Sequence, residues 1–170
     1  MRKYLMPDLI LPTYRDVTPQ LCRELGIRAI LSDIDNTLAP YEQPQSDEHI
    51  RAWLRDLKEA GISVALISNN HDDRVELFNS DLGLIAYADA GKPFGKVLRR
   101  AMKEMGSDHS NTAMLGDQLL TDALAGNLLG LKVLIVPPIR DKRTAFVRFK
   151  RWLERPVIRR YHKKHGGQKA

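Results

Sequence analysis

Long apolar runs are missing from this chain of 170 residues. None approaches the ~18 residues that a membrane-spanning helix needs. No secretory leader is expected either, because the apolar stretch in Met1-Arg2-Lys3-Tyr4-Leu5-Met6-Pro7 is short and soon broken by proline. Cys22 is the sole cysteine, which excludes an internal disulfide and suits a reducing compartment. On the helix expected after Pro19 it reads as a small hydrophobe. Aromatics are few, at 6%, and no repeat or low-complexity tract occurs. The expectation is one cytoplasmic domain with room for a sizeable core.

Charge is present but uneven. Residues 140–170 hold 12 Lys/Arg against 2 Asp/Glu, whereas the preceding residues hold 15 against 19. A mildly acidic body therefore carries a strongly basic tail, which raises a functional question of its own. The spans expected are 1–138 for the body with its N-terminal lead-in and 139–170 for the tail.

Along the chain, residues 4–14 read as an apolar, proline-punctuated lead-in. Thr18-Pro19 caps a short helix that Gly26 ends. A strand over 27–32 follows. Ser46 is expected to cap a helix with Asp47 and Glu48 in its first turn, and Ile50, Trp53, Leu54 and Leu57 make one apolar stripe. Further strands are read at 62–67, 85–88, 112–115 and 132–136, with helices at 72–81, 93–105 and 119–129 between them. Strands alternating with helices imply an α/β, three-layer Rossmann-like domain with a parallel sheet of about five strands. Its crossovers are right-handed.

In such sheets, ligands bind beyond the carboxyl ends of the strands. The polar residues of this chain gather there. The first strand runs into Asp33-Ile34-Asp35-Asn36-Thr37, the second into Ser68-Asn69-Asn70, the third into Asp89 to Lys92, and the fourth into Gly116-Asp117 with Asp122 beyond. Two acids two apart repel each other and ask for a cation or a proton. A lone Asp-x-Asp is also an ordinary acidic turn, but four sets in this order point to a site. Singly, Ser68 reads equally as a turn former, Lys92 as a solvated loop lysine and Asp122 as an exposed helix acid. Thr37 and Asn69 have packing or turn roles as open alternatives, and His71 reads as a solvated histidine at a helix start.

Together these motifs resemble the four motifs of the haloacid dehalogenase superfamily of phosphatases, over about residues 27–136. The Pro7…Pro12-Thr13-Tyr14 lead-in, Asp-Asn-Thr-Leu and Ser-Asn-Asn are similar to the YqeG-like group of subfamily IIIA, which includes mitochondrial phosphatidylglycerophosphate phosphatases. The resemblance implies Asp33 as the nucleophile that forms an aspartyl-phosphate. It implies Mg2+ held by Asp33, Asp117 and the backbone carbonyl of Asp35. The Asp35 side chain is then left to protonate the leaving alkoxide and deprotonate water, a switch that suits a carboxyl whose pKa is raised by the neighbouring charge. Ser68 and Asn69 face the substrate phosphate, and Lys92 compensates charge on Asp33 and the transferring group. Thr37 and Asp122 stand behind these, Asp122 orienting Lys92 or metal-bound water.

The spacings from Thr37 to Ser68 and from Ser68 to Lys92 leave room only for strand–helix units, so no cap domain is expected. An open site suits a substrate large enough to cover it. In the tail, Phe146, Phe149, Trp152 and Leu153 share a helical face, while Arg143, Arg148, Lys150 and Arg151 point elsewhere. Pro156 is expected to end this helix, and the chain beyond Arg159 to be poorly ordered. A basic helix with an aromatic face reads as a contact with an anionic membrane, Val157, Ile158 and Tyr161 being candidates for insertion. The same helix could instead pack on the body. The expectation is a phosphatase for a lipid phosphate, phosphatidylglycerophosphate specifically, peripheral to the membrane. The alternatives are a phosphatase for a soluble sugar phosphate or nucleotide, and a nucleic-acid- or ribosome-binding factor with an idle site.

Overall fold

Consecutive side chains of a strand point to opposite faces, and strand β2 (Ala29–Ser32) is buried on both. Ile30 joins a cluster with Trp53, Leu57 and Phe78, while Leu31 joins another with Leu98, Met102 and Met114. Such a strand belongs in the middle of three layers. In the computed structural model, described for residues 2–140 and 145–165 and for the side chains of 4–140 and 154–164, six parallel strands run in the order β1-β6-β5-β2-β3-β4. Strands β3 (Ser63–Ile67) and β5 (Thr112–Gly116) flank β2, with Leu31 opposite Ala65 on one side and Met114 on the other. Strands β4 (Ile85–Tyr87) and β6 (Lys132–Ile135) lie outside them.

The sixth strand is β1 (Leu9–Ile10), which pairs with β6 at the sheet edge. Its period is invisible in two residues between Pro7 and Pro12. It is specified instead by Asp8 and Leu11 donating to Val133 and Ile135 carbonyls at 2.9 and 2.8 Å.

Helix α1 (Pro19–Leu25) starts at Thr18, whose hydroxyl accepts from the Leu21 N–H, and buries Cys22. Helix α2 (Glu48–Glu59) is capped by Asp47 rather than Ser46; Asp47 accepts from the Ile50 N–H at 2.9 Å. Ser46 instead donates to Asp81, 2.7 Å away and beyond the next strand. The α2 stripe is buried at Ile50, Trp53 and Leu57, and the Trp53 indole donates to the Val17 carbonyl. Helix α3 (Asp72–Asn79) follows β3. Helix α4 (Lys96–Glu104) starts three residues later than its apolar pattern suggests, because Lys92 is tied into the site and residues 91–94 close a turn. Between β5 and β6 a π-helical turn, Leu119–Ala123, runs straight into α5 (Leu124–Leu128). No inserted domain lies between β2 and β3 or between β3 and β4.

The C-terminal segment departs most from expectation. Helix α6 spans Ala145–His165 with Pro156 inside it, so Pro156 does not end the helix and the chain beyond Arg159 is regular up to His165. An internal proline costs a helix about 3 kcal/mol. Burial on both sides of it offsets that cost. Glu154, Val157 and Tyr161 are buried, Val157 among Leu5, Leu119, Val133 and Ile135. The Ile10 N–H donates to the Tyr161 hydroxyl at 3.1 Å. Val157 and Tyr161 therefore face the body and are not free to insert into a membrane, and Ile158 is half-buried beside them. The side chains of Phe146, Phe149, Trp152 and Leu153, and the basic ones between them, lie outside the described residues. Among the described residues, no helix is long and apolar enough to cross a membrane.

Candidate active site

The acidic turn begins where β2 stops. The Asp33 N–H donates to the Leu115 carbonyl at 2.9 Å, fastening the turn to β5. Asn36 then takes a left-handed conformation (φ 62°), which asparagine tolerates better than most residues. Its carbonyl and side-chain oxygen accept from the N–H groups of Ile139 and Arg140. The strand ends on either side are thus stitched together before any ligand arrives.

Four of the residues read from the motifs meet at one point. The Lys92 ammonium lies 2.9 Å from Asp33 and 2.7 Å from Asp122, and donates to the Ile67 carbonyl at 2.8 Å. Asp33, Asp117 and Asp122 each offer an oxygen within 4.8 Å of the others. All four residues are buried. Burial pushes the Asp33 carboxyl up to about 7, against the opposing pull of Lys92 and with a further push from Asp122. For Lys92 burial works against the charge, but Asp122 and Asp33 outweigh it and hold the ammonium above its ordinary pKa.

Gly116 explains how Asp122 comes so close. A Cβ on residue 116 would sit 2.3–2.4 Å from the Asp122 carboxyl. The missing side chain is the space the acid occupies. Asp122 also accepts from the Gln118 N–H at 3.1 Å. With Asp33 ionised, three carboxylates and one ammonium leave two negative charges in a buried site, and the donors are all oxygen. That set fits a hard divalent cation.

Asp35 lies apart from this cluster. Arg74 donates to one of its oxygens from Nε (3.2 Å) and Nη2 (3.1 Å), and the Asn70 amide to the other at 3.0 Å. Arg74 is itself held by the Pro44 carbonyl and lies over the Phe78 ring. Neither Asn70 nor Arg74 was read as a site residue. No local signal marks Arg74, because Asp72 and Asp73 share the first turn of α3 with it and already suit the helix dipole there.

Ser68 is buried after β3, and its oxygen accepts from the Asn70 N–H at 3.0 Å, leaving the hydroxyl proton to donate. The Asn69 amide spans the Lys92 backbone, donating to its carbonyl at 3.1 Å and accepting from its N–H at 2.8 Å. Its observed contact is with the lysine's main chain. Thr37 is buried in the acidic turn, and its hydroxyl has no partner among the described residues. His71 precedes α3, is 87% exposed at its side chain, and lies 3.1 Å from Asp89. Glu154 was also missed, although it is one of only two acids in the basic tail. It accepts from the N–H groups of Leu119 (2.9 Å) and Leu120 (3.3 Å), next to Asp117.

Comparison with known proteins agrees with this arrangement. The model of the haloacid dehalogenase-like hydrolases matches residues 19–130. A probable phosphatase, YqeG of Bacillus subtilis, is 34% identical over 158 residues, covering 93% of this chain and 92% of that protein. Phosphatidylglycerophosphate phosphatase 1 of Arabidopsis thaliana, chloroplastic/mitochondrial, is 25% identical over 96% of this chain, which spans half of that longer protein. Among solved structures, the cobalt-bound deoxy-D-mannose-octulosonate 8-phosphate phosphatase of Haemophilus influenzae shares the fold. It has a TM-score of 0.51 and 15% identity over 85% of this chain and 94% of that one.

Proposed function

Because the chain belongs to the haloacid dehalogenase-like hydrolases and is a phosphatase of that family, we propose that it cleaves a phosphomonoester with Asp33 as nucleophile. The observation that carries this reading is the Lys92 ammonium, buried between Asp33 and Asp122 at 2.9 and 2.7 Å. A divalent ion, Mg2+ in this reading, would be held by Asp33, Asp117 and the Asp35 backbone carbonyl, and would supply positive charge against the phosphate dianion.

The chain's own groups then divide the work. An Asp33 oxygen bonds to phosphorus while the bond to the leaving oxygen breaks, giving an aspartyl-phosphate. Asp35, aimed by Arg74 and Asn70, must enter this step protonated, and it gives that proton to the leaving oxygen. It then takes one from the water that releases phosphate and restores Asp33. Lys92 and the Ser68 hydroxyl hold the phosphoryl oxygens, and Asp122 aims Lys92. Asn69 acts by fixing the Lys92 backbone. Thr37 supports the acidic turn from within.

For the substrate we favour a lipid phosphate, phosphatidylglycerophosphate in particular. The half-length match to a phosphatase of that lipid supports it, as does the lack of an inserted cap. The rim supports it further. Tyr41, Phe94 and Ile139 are exposed on the loops that leave β2, β4 and β6, and Phe94 is 78% exposed. Apolar groups around the mouth of a polar site suit a substrate presented at a lipid surface. On α6, Arg155, Arg159, Arg160, Lys163 and Lys164 are exposed and suit anionic headgroups.

A phosphate-release screen with Mg2+ tests the reading, using lipid phosphates in mixed micelles beside sugar phosphates and nucleotides. The expected outcome is turnover of the lipid phosphate and loss of it in Asp33→Asn by about 10³-fold or more. Substantial metal-dependent turnover by Asp33→Asn sinks the nucleophile assignment. A wild type that prefers soluble phosphates sinks the lipid substrate alone.

A further inference from the structure

Glu154 is an anomaly twice over. It sits in a tail of cations, with Arg155, Arg159 and Arg160 exposed beside it, yet its own side chain is buried. Its carboxylate accepts from the Leu119 and Leu120 N–H groups at 2.9 and 3.3 Å. Those groups open the helical segment 119–128, where no earlier carbonyl of the segment can reach them. Gln118, in the capping position, makes no side-chain bond there. A residue 35 positions away therefore caps this helical start. The cap lies two residues from Asp117, and the same segment carries Asp122 in its first turn.

Resting on the reading that Asp117 and Asp33 hold a divalent ion, we infer that Glu154 is a positioning residue for that ion. By fixing Leu119 and Leu120 it fixes the exit from Asp117 and the approach of Asp122 to Gly116. The carboxylate need not touch the ion. Without it, two N–H groups in a buried turn lack acceptors and the turn reorients to find them. Such a shift moves Asp117 relative to Asp33 and Asp122 relative to Lys92. The simpler role, in which Glu154 only fastens α6 to the body, leaves the ion's affinity unchanged.

The test is Mn2+ binding to the full chain without substrate, followed by the electron paramagnetic resonance of free Mn2+, beside thermal unfolding. Glu154→Ala is expected to raise the Mn2+ dissociation constant about 10- to 100-fold, the range for partners that orient metal ligands. Glu154→Gln keeps an acceptor oxygen and is expected to stay within about threefold of wild type. Tyr161→Phe loosens the same helix at β1, where the Ile10 N–H loses its acceptor, without touching the turn, and is expected to match wild type in Mn2+ binding while melting earlier. If Glu154→Ala does not fold, Glu154→Asp replaces it; its shorter reach should weaken Mn2+ about tenfold. Wild-type affinity in a folded Ala or Asp variant overturns the inference. So does an equal loss in Tyr161→Phe, or a Gln variant as weak as the Ala variant. A wild type that binds no Mn2+, or binds it equally after Asp33→Asn, overturns the metal-site reading itself.

Discussion

On the side of β3 and β4 the site draws its cations, Lys92 and Arg74; on the side of β5 it draws its remaining acids, Asp117 and Asp122. The cationic flank is braced by contacts made to the cations themselves, most of them from residues 67–92. Asn69 clamps the Lys92 backbone, the Ile67 carbonyl takes its ammonium, and Pro44 and Phe78 hold Arg74. The acidic flank is braced by a missing atom and by a distant helix, through the bare Cα of Gly116 and the Glu154 carboxylate. The reason lies in electrostatics. Long cationic side chains reach their anions from afar and carry several donors, so contacts to the side chains and to the Lys92 main chain suffice to aim them. Short acids repel one another and stay close only if the backbone beneath them is pinned.

The comparison can be broken from the cationic side first. Lys92→Ala removes the shared counter-charge of two buried acids, and breaking a buried pair in this way costs about 3–5 kcal/mol. Urea unfolding in chelator should show that loss, and turnover of a soluble aryl phosphate should fall about 10³-fold. If Gly116→Ala is the more damaging change, the ranking of the flanks is wrong. Gly116→Ala puts a methyl 2.3–2.4 Å from the Asp122 carboxyl. Overpacking of this kind costs about 1–3 kcal/mol, and the displaced acid should lower turnover about 10²-fold. The smaller change is at Arg74. Arg74→Ala frees the Asp35 carboxylate from two of its three bonds and should lower kcat about 10-fold with little change in KM. Arg74→Lys should fall between, since a lysine cannot reproduce the fork. A KM effect alone would place Arg74 on the substrate and not on Asp35.

The two flanks also differ in how far they can be read without coordinates. Asp33, Lys92, Asp117 and Asp122 follow from one rule, that polar residues at the carboxyl ends of parallel strands share a crevice. The strands themselves were legible because β2, β3 and β5 are continuous apolar runs. What escaped depends on contact between segments far apart. The β1 strand has two residues and exists through β6. Arg74 has meaning only once Asp35 lies above α3. Pro156 is a helix breaker by local rules, and burial of Val157 and Tyr161 overrides it. Glu154 was hidden by its company, since a lone acid among cations reads as one more solvated charge.

The smallest expected signal is the proton that Asp33, the acid at which the flanks meet, holds without the ion. Its folded pKa is raised to about 7 by burial, above the ~3.9 of an unfolded chain. Between those values the ion-free folded protein holds a proton that the unfolded chain has lost. Stability therefore falls as pH rises from about 4 to 7 and levels off above, because slope follows the difference in bound protons. Lys92 does not interfere, since its raised pKa keeps the ammonium charged throughout that window. A divalent ion needs the ionised carboxylate and reverses the preference. Titrating Mg2+ into the protein at pH 6, in buffers of different ionisation enthalpy, should show release of up to about one proton, fading above pH 8. Asp33→Asn should release less at pH 6. Equal release from both proteins would move the titrating group away from Asp33, and with it the point where the cationic and acidic flanks are joined.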